Sequence, residues 1–286
     1  KEQNDQPFFM GIGFVRPHTP LNAPDKYFNM FPIETLQLPK WIEDDINDTY
    51  YLENFGDKLK GSKYYKTILA SFSGDREMAL KNFLQAYLAC VAFVDEQIGK
   101  VVKAIENSPY SDNTVIIFTS DHGWQMGEKN YLFKNSPWEE SARIPLIFKL
   151  PNQEEGSEVD QPVSLIDIFP TLIDLCNLKG NYRKNVNGGD IGGFSLKPLL
   201  YDNGKWQGPD GALTLVGNNG HSKSENEQTY SYRTRQFRLI RYGNGKIELY
   251  DHYKDPHEWQ NIANDKKNKK LIQQLNNEMD NILTNR

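Results

Sequence analysis

The tripeptide Asp121-His122-Gly123 follows an apolar run at residues 114–119, with one serine between them. The run is rich in β-branched and aromatic side chains, which predicts a strand buried on both faces. The three residues then stand at the carboxyl end of that strand, where open α/β sheets place their ligand sites. A helix cap at Asp121, with a hydrogen-bonded histidine and a turn glycine after it, is an equally good interpretation of the tripeptide alone. The neighbouring segments must decide between these two interpretations.

Three neighbouring segments carry a recognisable pattern. They are Ser-Asp-His-Gly-Trp-Gln-Met-Gly-Glu at residues 120–128, Leu-Phe-Lys at residues 132–134 and Trp-Glu-Glu-Ser-Ala-Arg-Ile-Pro-Leu-Ile at residues 138–147. Together they resemble sulfatases of the alkaline phosphatase superfamily, particularly the iduronate-2-sulfatase-like and bacterial polysaccharide sulfatase branch. The resemblance implies that Asp121 and His122 ligate calcium and that Lys134 contacts the sulfate. A carboxylate suits Ca²⁺ and an ammonium suits a sulfuryl group that gains negative charge, although histidine is a less usual calcium ligand and a lone lysine is by default a solvated surface charge.

A second match lies near the beginning of the chain, where Phe-Val-Arg-Pro-His-Thr-Pro-Leu occupies residues 14–21. The resemblance implies that His18 reaches the sulfate ester. Because histidine titrates near neutral pH, His18 could protonate a departing sugar hydroxyl. A histidine held between two prolines for structural reasons is the alternative.

The C-terminal part resembles the closing sheet and final motif of the same family, and its signals indicate packing and turns more than chemistry. His252 and His257 lie in a turn-rich stretch, and we interpret both as structural or exposed. Substrate contacts are predicted for His221, Arg233 and Arg235. Solvation of an outer sheet face is the alternative for either arginine.

The chain lacks the nucleophile motif that the resemblance implies. Such sulfatases carry a formylglycine made from Cys or Ser in Cys/Ser-x-Pro-Ser-Arg, and neither Cys90 nor Cys176 has these neighbours. The expected cofactors are Ca²⁺ and a formylglycine on a segment outside this chain. We therefore expect an N-terminal sulfatase segment or a companion chain as a partner, and exposed apolar surface or unpaired strand edges wherever that partner is absent.

The elements that would position these residues alternate between strands and helices. The predicted strands are residues 7–15, 114–119 and 144–150, then residues 212–216, 230–242 and 246–250, and the predicted helices are residues 77–107, 164–175 and 267–283. A long irregular connection is expected over residues 16–51. This order predicts an α/β class with an alkaline-phosphatase-like, mostly parallel sheet flanked by helices, followed by a small C-terminal antiparallel sheet with a helix. The predicted domains are residues 1–205 and residues 206–286.

Composition excludes several classes of partner. A net charge of −5 argues against nucleic-acid binding, which needs a broad basic surface. The longest apolar runs are strand-sized, so no membrane span is expected. No signal peptide is visible, and the family resemblance implies a periplasmic or secreted protein.

The sequence thus predicts a sulfuric ester hydrolase that removes sulfate from a sulfated oligo- or polysaccharide, with part of the active site on this chain. A phosphodiesterase or phosphonate hydrolase of the same superfamily is the first alternative, and it would be expected to hold a zinc pair. A non-catalytic binding protein derived from a sulfatase is the second.

Overall fold

The computed structural model describes residues 6–56, 59–180, 182, 192–201, 205–217 and 227–284. The chain divides into two compact units. The first comprises Lys1–Leu38 and Ile68–Thr114, and the second comprises Pro39–Thr67 and Val115–Arg286. The division expected at residue 205 concerns a sheet subdomain within the second unit, and it stays a prediction.

The described residues form eight α-helices and eight strands. The α-helices are α1 (Asp25–Phe28), α2 (Tyr51–Phe55), α3 (Lys60–Ser71), α4 (Arg76–Glu106), α5 (Glu139–Ala142), α6 (Ile168–Leu175), α7 (Lys197–Leu200) and α8 (Lys269–Thr284). The strands are β1 (Ile116–Thr119), β2 (Gln125–Met126), β3 (Leu132–Phe133), β4 (Leu146–Lys149), β5 (Gly211–Val216), β6 (Thr229–Thr234), β7 (Phe237–Arg241) and β8 (Ile247–Asp251). All of these strands belong to the second unit.

The long helix α4 dominates the first unit and confirms the helix predicted for residues 77–107. The Asp75 carboxylate caps it by accepting a hydrogen bond from the Met78 amide at 2.9 Å. The short helix α1 packs against it, with the Tyr27 and Phe93 ring centroids 5.4 Å apart. The Tyr27 hydroxyl also donates to the Glu96 carboxylate at 2.8 Å, which fixes the contact between the two helices.

The strand predicted for residues 7–15 is wrong within the described residues. The segment has no strand partner there, and its apolar side chains face solvent, with Phe9 84% and Val15 73% exposed. A strand is defined by backbone hydrogen bonds to a neighbour, and an apolar run shows only that a segment tends to be covered. The expectation of exposed apolar surface is thereby confirmed for this segment.

The strands predicted for residues 114–119 and 144–150 form β1 and β4, but they pair in the antiparallel direction. The sequence interpretation placed them in a parallel sheet. Parallel neighbours need a crossover connection, usually a helix. Between β1 and β4 the chain instead forms the β2–β3 hairpin and the four-residue helix α5, so it returns beside β1 in the opposite direction. Ile147 and Phe118 on this pair are exposed.

The C-terminal sheet has the order β5-β6-β7-β8 with every pair antiparallel, as the sequence predicts. The closing helix α8 packs Leu275 and Met279 onto the sheet residues Tyr232, Leu239 and Leu249. These side chains are all nearly inaccessible to solvent. Their burial supplies much of the driving force that joins α8 to the sheet.

The sequence interpretation of residues 230–242 as one strand is wrong, because a tight turn at Arg235 and Gln236 splits it into β6 and β7. The turn contains neither glycine nor asparagine, which are the usual signals for a short hairpin. The Thr234 hydroxyl closes it instead, since its oxygen accepts a hydrogen bond from the Phe237 amide at 2.9 Å. A side chain thus replaces the usual turn chemistry.

A second core cluster consists mainly of tyrosines around Glu248, which is fully buried. The Glu248 carboxylate accepts hydrogen bonds from the Tyr50 amide, the Trp138 indole, and the Tyr242 and Tyr250 hydroxyls. Burial raises the pKa of Glu248 despite these donors. The cluster joins the C-terminal sheet to the segment that precedes α5.

The structure also bears on membrane spans and on the state of the two cysteines. In the described part of the chain, no helix combines the length and the apolar character that crossing a membrane requires. Cys90 and Cys176 are both free thiols, Cys90 buried in α4 and Cys176 exposed.

Candidate functional site

Asp121 and His122 lie in the loop that leaves β1. The Asp121 side chain is 84% exposed, and its Oδ2 lies 3.5 Å from Nε2 of His122. The Ser120 hydroxyl is 3.5 Å from Asp121 Oδ1 and donates to the His122 carbonyl at 3.0 Å. The carboxylate therefore projects toward solvent with the imidazole beside it.

The His122 ring is oriented by its own backbone. Its Nδ1 lies 2.8 Å from the Gly123 carbonyl oxygen, which can only accept a hydrogen bond, so Nδ1 carries a proton. In the neutral ring Nε2 then holds the lone pair on the side of Asp121. Metal-binding histidines are commonly fixed in this way, by donating the other ring N–H to a carbonyl.

This donor pair fits a partial metal site. One carboxylate and one imidazole nitrogen lie side by side, and both are accessible. Calcium takes six to eight mostly oxygen ligands, so Asp121 and His122 can supply only part of a calcium shell. The remaining ligands would have to come from other groups.

The loop is held in place by α5. The Gly123 amide donates to the Ser141 carbonyl at 2.9 Å, and the Trp124 amide donates to the Glu140 carbonyl at 2.6 Å. A Cβ atom at Gly123 would lie 2.1 Å from the Glu140 carbonyl oxygen, so only glycine permits this approach. The geometry of the Asp121–His122 loop thus depends on the position of α5.

Lys134 follows β3 directly, and the β2–β3 hairpin carries it toward the same end as the Asp121–His122 loop. Gln125 pairs with Phe133, so the next positions along the two arms are Trp124 and Lys134. Phe133 has a φ of 72°, a left-handed conformation that bulky residues rarely adopt, and Asn135 has a φ of 68°, which asparagine tolerates better. Strained backbone of this kind is concentrated at functional sites.

The Lys134 side chain is half-buried. Its ammonium has no hydrogen bond or ion pair with any residue that the structure describes. A half-buried lysine without a carboxylate partner is poorly explained as a solvated surface charge. The predicted contact of Lys134 with the sulfate stays a prediction.

His18 lies in the first unit, on an exposed loop. Its Nδ1 lies 2.7 Å from the Thr19 carbonyl oxygen, so this nitrogen also carries a proton and Nε2 is the atom that can exchange one with a ligand. The Arg16 guanidinium donates to the carbonyls of Asn22 and His18, which holds the loop in a fixed shape. The predicted role of His18 stays a prediction.

The three predicted substrate-binding residues differ in their surroundings. Arg233 is half-buried and forms an ion pair with Glu139 at 3.2 Å. Arg235 is exposed in the β6–β7 turn. His221 falls outside the described residues. The ion pair gives Arg233 a structural role, and substrate contacts of all three residues stay predictions.

A buried ion network lies behind α5, and the sequence interpretation did not single out its carboxylates. Arg238 bridges Glu139 and Glu258, and His252 Nε2 lies 2.8 Å from the Glu258 carboxylate. Burial acts to raise the pKa of Glu258, but the Arg238 charge and the hydrogen bond from His252 outweigh it and hold that pKa at about 2. The Glu139 amide also donates to Glu258 at 3.0 Å, which anchors α5 to the C-terminal sheet.

Glu139, His252 and Glu258 also have the composition of a metal site, since their ligand atoms lie within 4.8 Å of one another. The two carboxylates are already neutralised by Arg233 and Arg238. A cation placed among them would face these guanidinium charges at close range. The arrangement favours an ion network, and His252 is structural, as predicted. His257 is exposed and stacks on Trp259 at 4.7 Å.

Comparison with known proteins places these features in a family. A family model described as Sulfatase matches residues 1–178. A second, described as N-sulphoglucosamine sulphohydrolase, C-terminal, matches residues 127–285. A protein named sulfatase from Formosa agariphila is 37% identical over 94% of this chain and 49% of its own length. The chain spans about half the length of the curated relatives that it matches.

Solved structures share the fold. A protein crystallised with its substrate D-glucosamine-2-N,6-O-disulfate has a TM-score of 0.68 at 23% identity, covering 95% of this chain and 64% of that one. The phosphonate monoester hydrolase of Agrobacterium radiobacter has a TM-score of 0.76 at 23% identity, covering 99% of this chain and 58% of that one. These similarities confirm the predicted alkaline-phosphatase-like class.

Proposed function

Because the chain belongs to the sulfatase family, we propose that it carries part of the active site of a sulfuric ester hydrolase that removes sulfate from a sulfated saccharide. One observation supports this most directly. The β2–β3 hairpin directs Lys134 and the Asp121–His122 loop to the same end of one short element. A cationic side chain beside an accessible metal-ligand pair suits the binding of a sulfate ester.

Lys134 has the role of binding the sulfate oxygens in this proposal. Negative charge grows on these oxygens and on the leaving group as the S–O bond breaks, and a preorganised ammonium stabilises that charge more in the transition state than in the ground state. His18 donates a proton from Nε2 to the departing sugar oxygen. The imidazole suits this transfer because its ordinary pKa lies close to neutrality.

Asp121 and His122 hold part of the shell of a calcium ion. When bound, calcium supplies positive charge at the sulfate, and the formylglycine of this family supplies the nucleophile. We assign the nucleophile and the remaining calcium ligands to a sulfatase segment or companion chain outside these 286 residues. The exposed side chains of residues 7–15 support such a partner, because exposed apolar residues in a row commonly mark contact surfaces.

The proposed substrate is a sulfated oligo- or polysaccharide, and the proposed location is periplasmic or secreted. The bound glucosamine disulfate of one structural relative supports the substrate class. Loops on the rigid sheet would distinguish one sugar from another. His221, Arg233 and Arg235 remain candidates for that task.

Release of sulfate tests this proposal. The full-length protein is assayed against sulfated oligosaccharides, small aryl sulfates, phosphodiesters and phosphonate monoesters. We expect sulfate release from saccharides, and Lys134→Ala should lower kcat by about 100- to 1,000-fold, as removal of a preorganised charge-stabilising group does elsewhere. Lys103→Gln is the matched control, because Lys103 is an exposed helical lysine in α4.

Other outcomes separate the alternatives. Preferential turnover of phosphodiesters or phosphonates, with stoichiometric zinc and no sulfate release, would establish the hydrolase alternative. Binding of sulfated saccharide without turnover of any ester would establish the non-catalytic alternative. In either case the sulfatase proposal fails.

A further inference from the structure

Helix α3 packs tightly beside the hairpin that carries Lys134. A Cβ atom at Gly61 would lie 2.1 Å from the Tyr131 ring, so the helix backbone rests directly on that side chain. Ser62 and Tyr65 on the same helix are also buried. Tyr131 directly precedes β3, and the position of α3 relative to Lys134 is therefore fixed by close packing.

A row of aromatic rings connects the exposed side of α3 to the Asp121–His122 loop. The Tyr64 ring is 45% exposed and meets Phe133 edge to face, with centroids 5.3 Å apart. Phe133 meets Trp124 in the same way at 5.0 Å. Phe133 directly precedes Lys134 in the chain. Tyr64 is thus the solvent-facing end of a row that passes beside the proposed sulfate-binding lysine.

Two exposed lysines, Lys60 and Lys63, lie near Tyr64 on the surface of α3. Lys60 neighbours both Lys63 and Tyr64, which follow it by three and four residues, whereas Lys63 and Tyr64 are consecutive and point about 100° apart around the helix. Within the described residues neither ammonium has a carboxylate partner. The two lysines therefore form a local positive patch on a chain whose net charge is −5.

We propose that Lys60, Lys63 and Tyr64 form a saccharide-binding subsite beside Lys134. The Tyr64 ring stacks on the C–H face of a sugar unit, because the negative face of an aromatic ring attracts polarised C–H groups. The lysines bind a sulfate or carboxylate substituent of that unit. This inference rests on the proposed function, since it locates the residues that read the saccharide around the sulfate ester.

Kinetics with two substrates tests the subsite. Tyr64→Ala should raise KM about three- to tenfold for the sulfated oligosaccharide that the wild-type protein turns over fastest, in line with the energy of one aromatic contact. It should leave kcat/KM for para-nitrophenyl sulfate within about twofold, because this substrate has no sugar unit for the Tyr64 ring to contact. Tyr64→Phe should behave like the wild type, since it keeps the ring.

Three further variants make the result specific. Lys63→Gln should raise the saccharide KM and weaken its salt dependence. Tyr253→Ala is the aromatic control, because Tyr253 is 70% exposed on the C-terminal part of the chain. Lys103→Gln is the lysine control. An unchanged saccharide KM in both Tyr64→Ala and Lys63→Gln, or an equal loss on both substrates, would overturn the subsite.

A binding measurement separates this inference from the proposed function. Calorimetric titration with a heparin tetrasaccharide needs no turnover, and Tyr64→Ala and Lys63→Gln should each weaken binding at least threefold. If sulfate esters are not hydrolysed but the tetrasaccharide binds in this residue-dependent way, the sulfatase proposal fails and the subsite stands. If the wild-type protein neither binds nor turns over any sulfated saccharide, the subsite is excluded.

Discussion

Among single residues, Asp121 and His122 lie side by side but are held differently. The backbone fixes the His122 ring, and solvent surrounds the Asp121 carboxylate. The hydrogen bond from Nδ1 to the Gly123 carbonyl holds the His122 ring, while the Asp121 carboxylate is almost fully exposed. The exposed carboxylate is open to a cation from solvent. Its affinity for calcium depends on how many further ligands surround the same ion.

Asp121→Asn should weaken calcium binding by at least about tenfold, because the amide keeps the shape of the side chain but removes its negative charge. The measurement is a calcium titration of the full-length protein by calorimetry. Asp112→Asn is the control, since it removes an exposed carboxylate that lies before β1 and outside this loop. Equal calcium affinity in the wild type and Asp121→Asn would remove Asp121 from the ligand set.

Among the elements, the short helix α5 positions the Asp121–His122 loop. Two backbone hydrogen bonds join them, and Gly123 fits against the Glu140 carbonyl only because it lacks a Cβ. Glu139, the first residue of α5, is tied in turn to Arg233 and Arg238 of the C-terminal sheet. A helix of four residues has little stability of its own, so its position comes from these contacts.

Gly123→Ala should destabilise the protein by about 1–3 kcal/mol, the usual cost of forcing an extra carbon into a packed site. It should also weaken calcium binding, because α5 and the loop must move apart. Urea unfolding and calcium titration measure the two effects. Gly99→Ala is the matched control, because Gly99 lies within α4 with nothing within 4 Å of an added Cβ, and alanine favours the helix there. Equal stability of the wild type and Gly123→Ala would refute the close contact.

At the scale of the whole molecule, the second unit is held together by buried charges as well as by its apolar core. Arg238 and Glu258 form an ion pair and are both about 2% exposed, and Arg238 also pairs with Glu139, which joins the C-terminal sheet to α5. Lys129 and Asp45 form another buried pair at 2.6 Å. Loss of one partner from such a pair leaves an uncompensated charge, which is far more costly than loss of a surface ion pair.

Glu258 should make the stability of the protein dependent on pH under acid conditions. Its pKa of about 2 in the folded protein lies below its ordinary value of 4.5. The stabilisation is therefore complete above pH 4.5 and is lost as the pH falls from 4.5 toward 2. In urea unfolding, the stability difference between the wild type and Glu258→Gln should shrink by about 2 kcal/mol from pH 5 to pH 3.

The difference between the wild type and Glu258→Gln separates the effect of Glu258 from that of carboxylates whose pKa is raised in the folded protein. Burial raises the pKa of Glu248, so that carboxylate disfavours the folded state as the pH rises. Its contribution is common to both proteins and cancels in the difference. Glu43→Gln, which removes an exposed carboxylate, should follow the wild type at every pH. A constant difference between the wild type and Glu258→Gln would show that the pKa of Glu258 is not depressed.

The local structure of the chain and its family can be predicted from the order of its residues. Apolar patterns in the sequence predict the helices α4 and α8 and the strands β1 and β4. These patterns are properties of neighbouring residues. The motif around Asp121 and Lys134 likewise indicated the family without any coordinates. These features depend on residues that are close together in the chain.

The pairing of these elements and the pairing of buried charges depend on the three-dimensional fold. Three features depend on contacts with other elements. They are the antiparallel direction of β1 and β4, the absence of a described strand partner for residues 7–15, and the turn that divides residues 230–242. Glu258 and Arg238 are ordinary charged residues in the sequence, and their burial becomes visible only when two distant segments meet. Apolar and charged patterns show which side chains tend to be covered, but backbone hydrogen bonds and buried ion pairs need a specific partner, and the fold alone selects it.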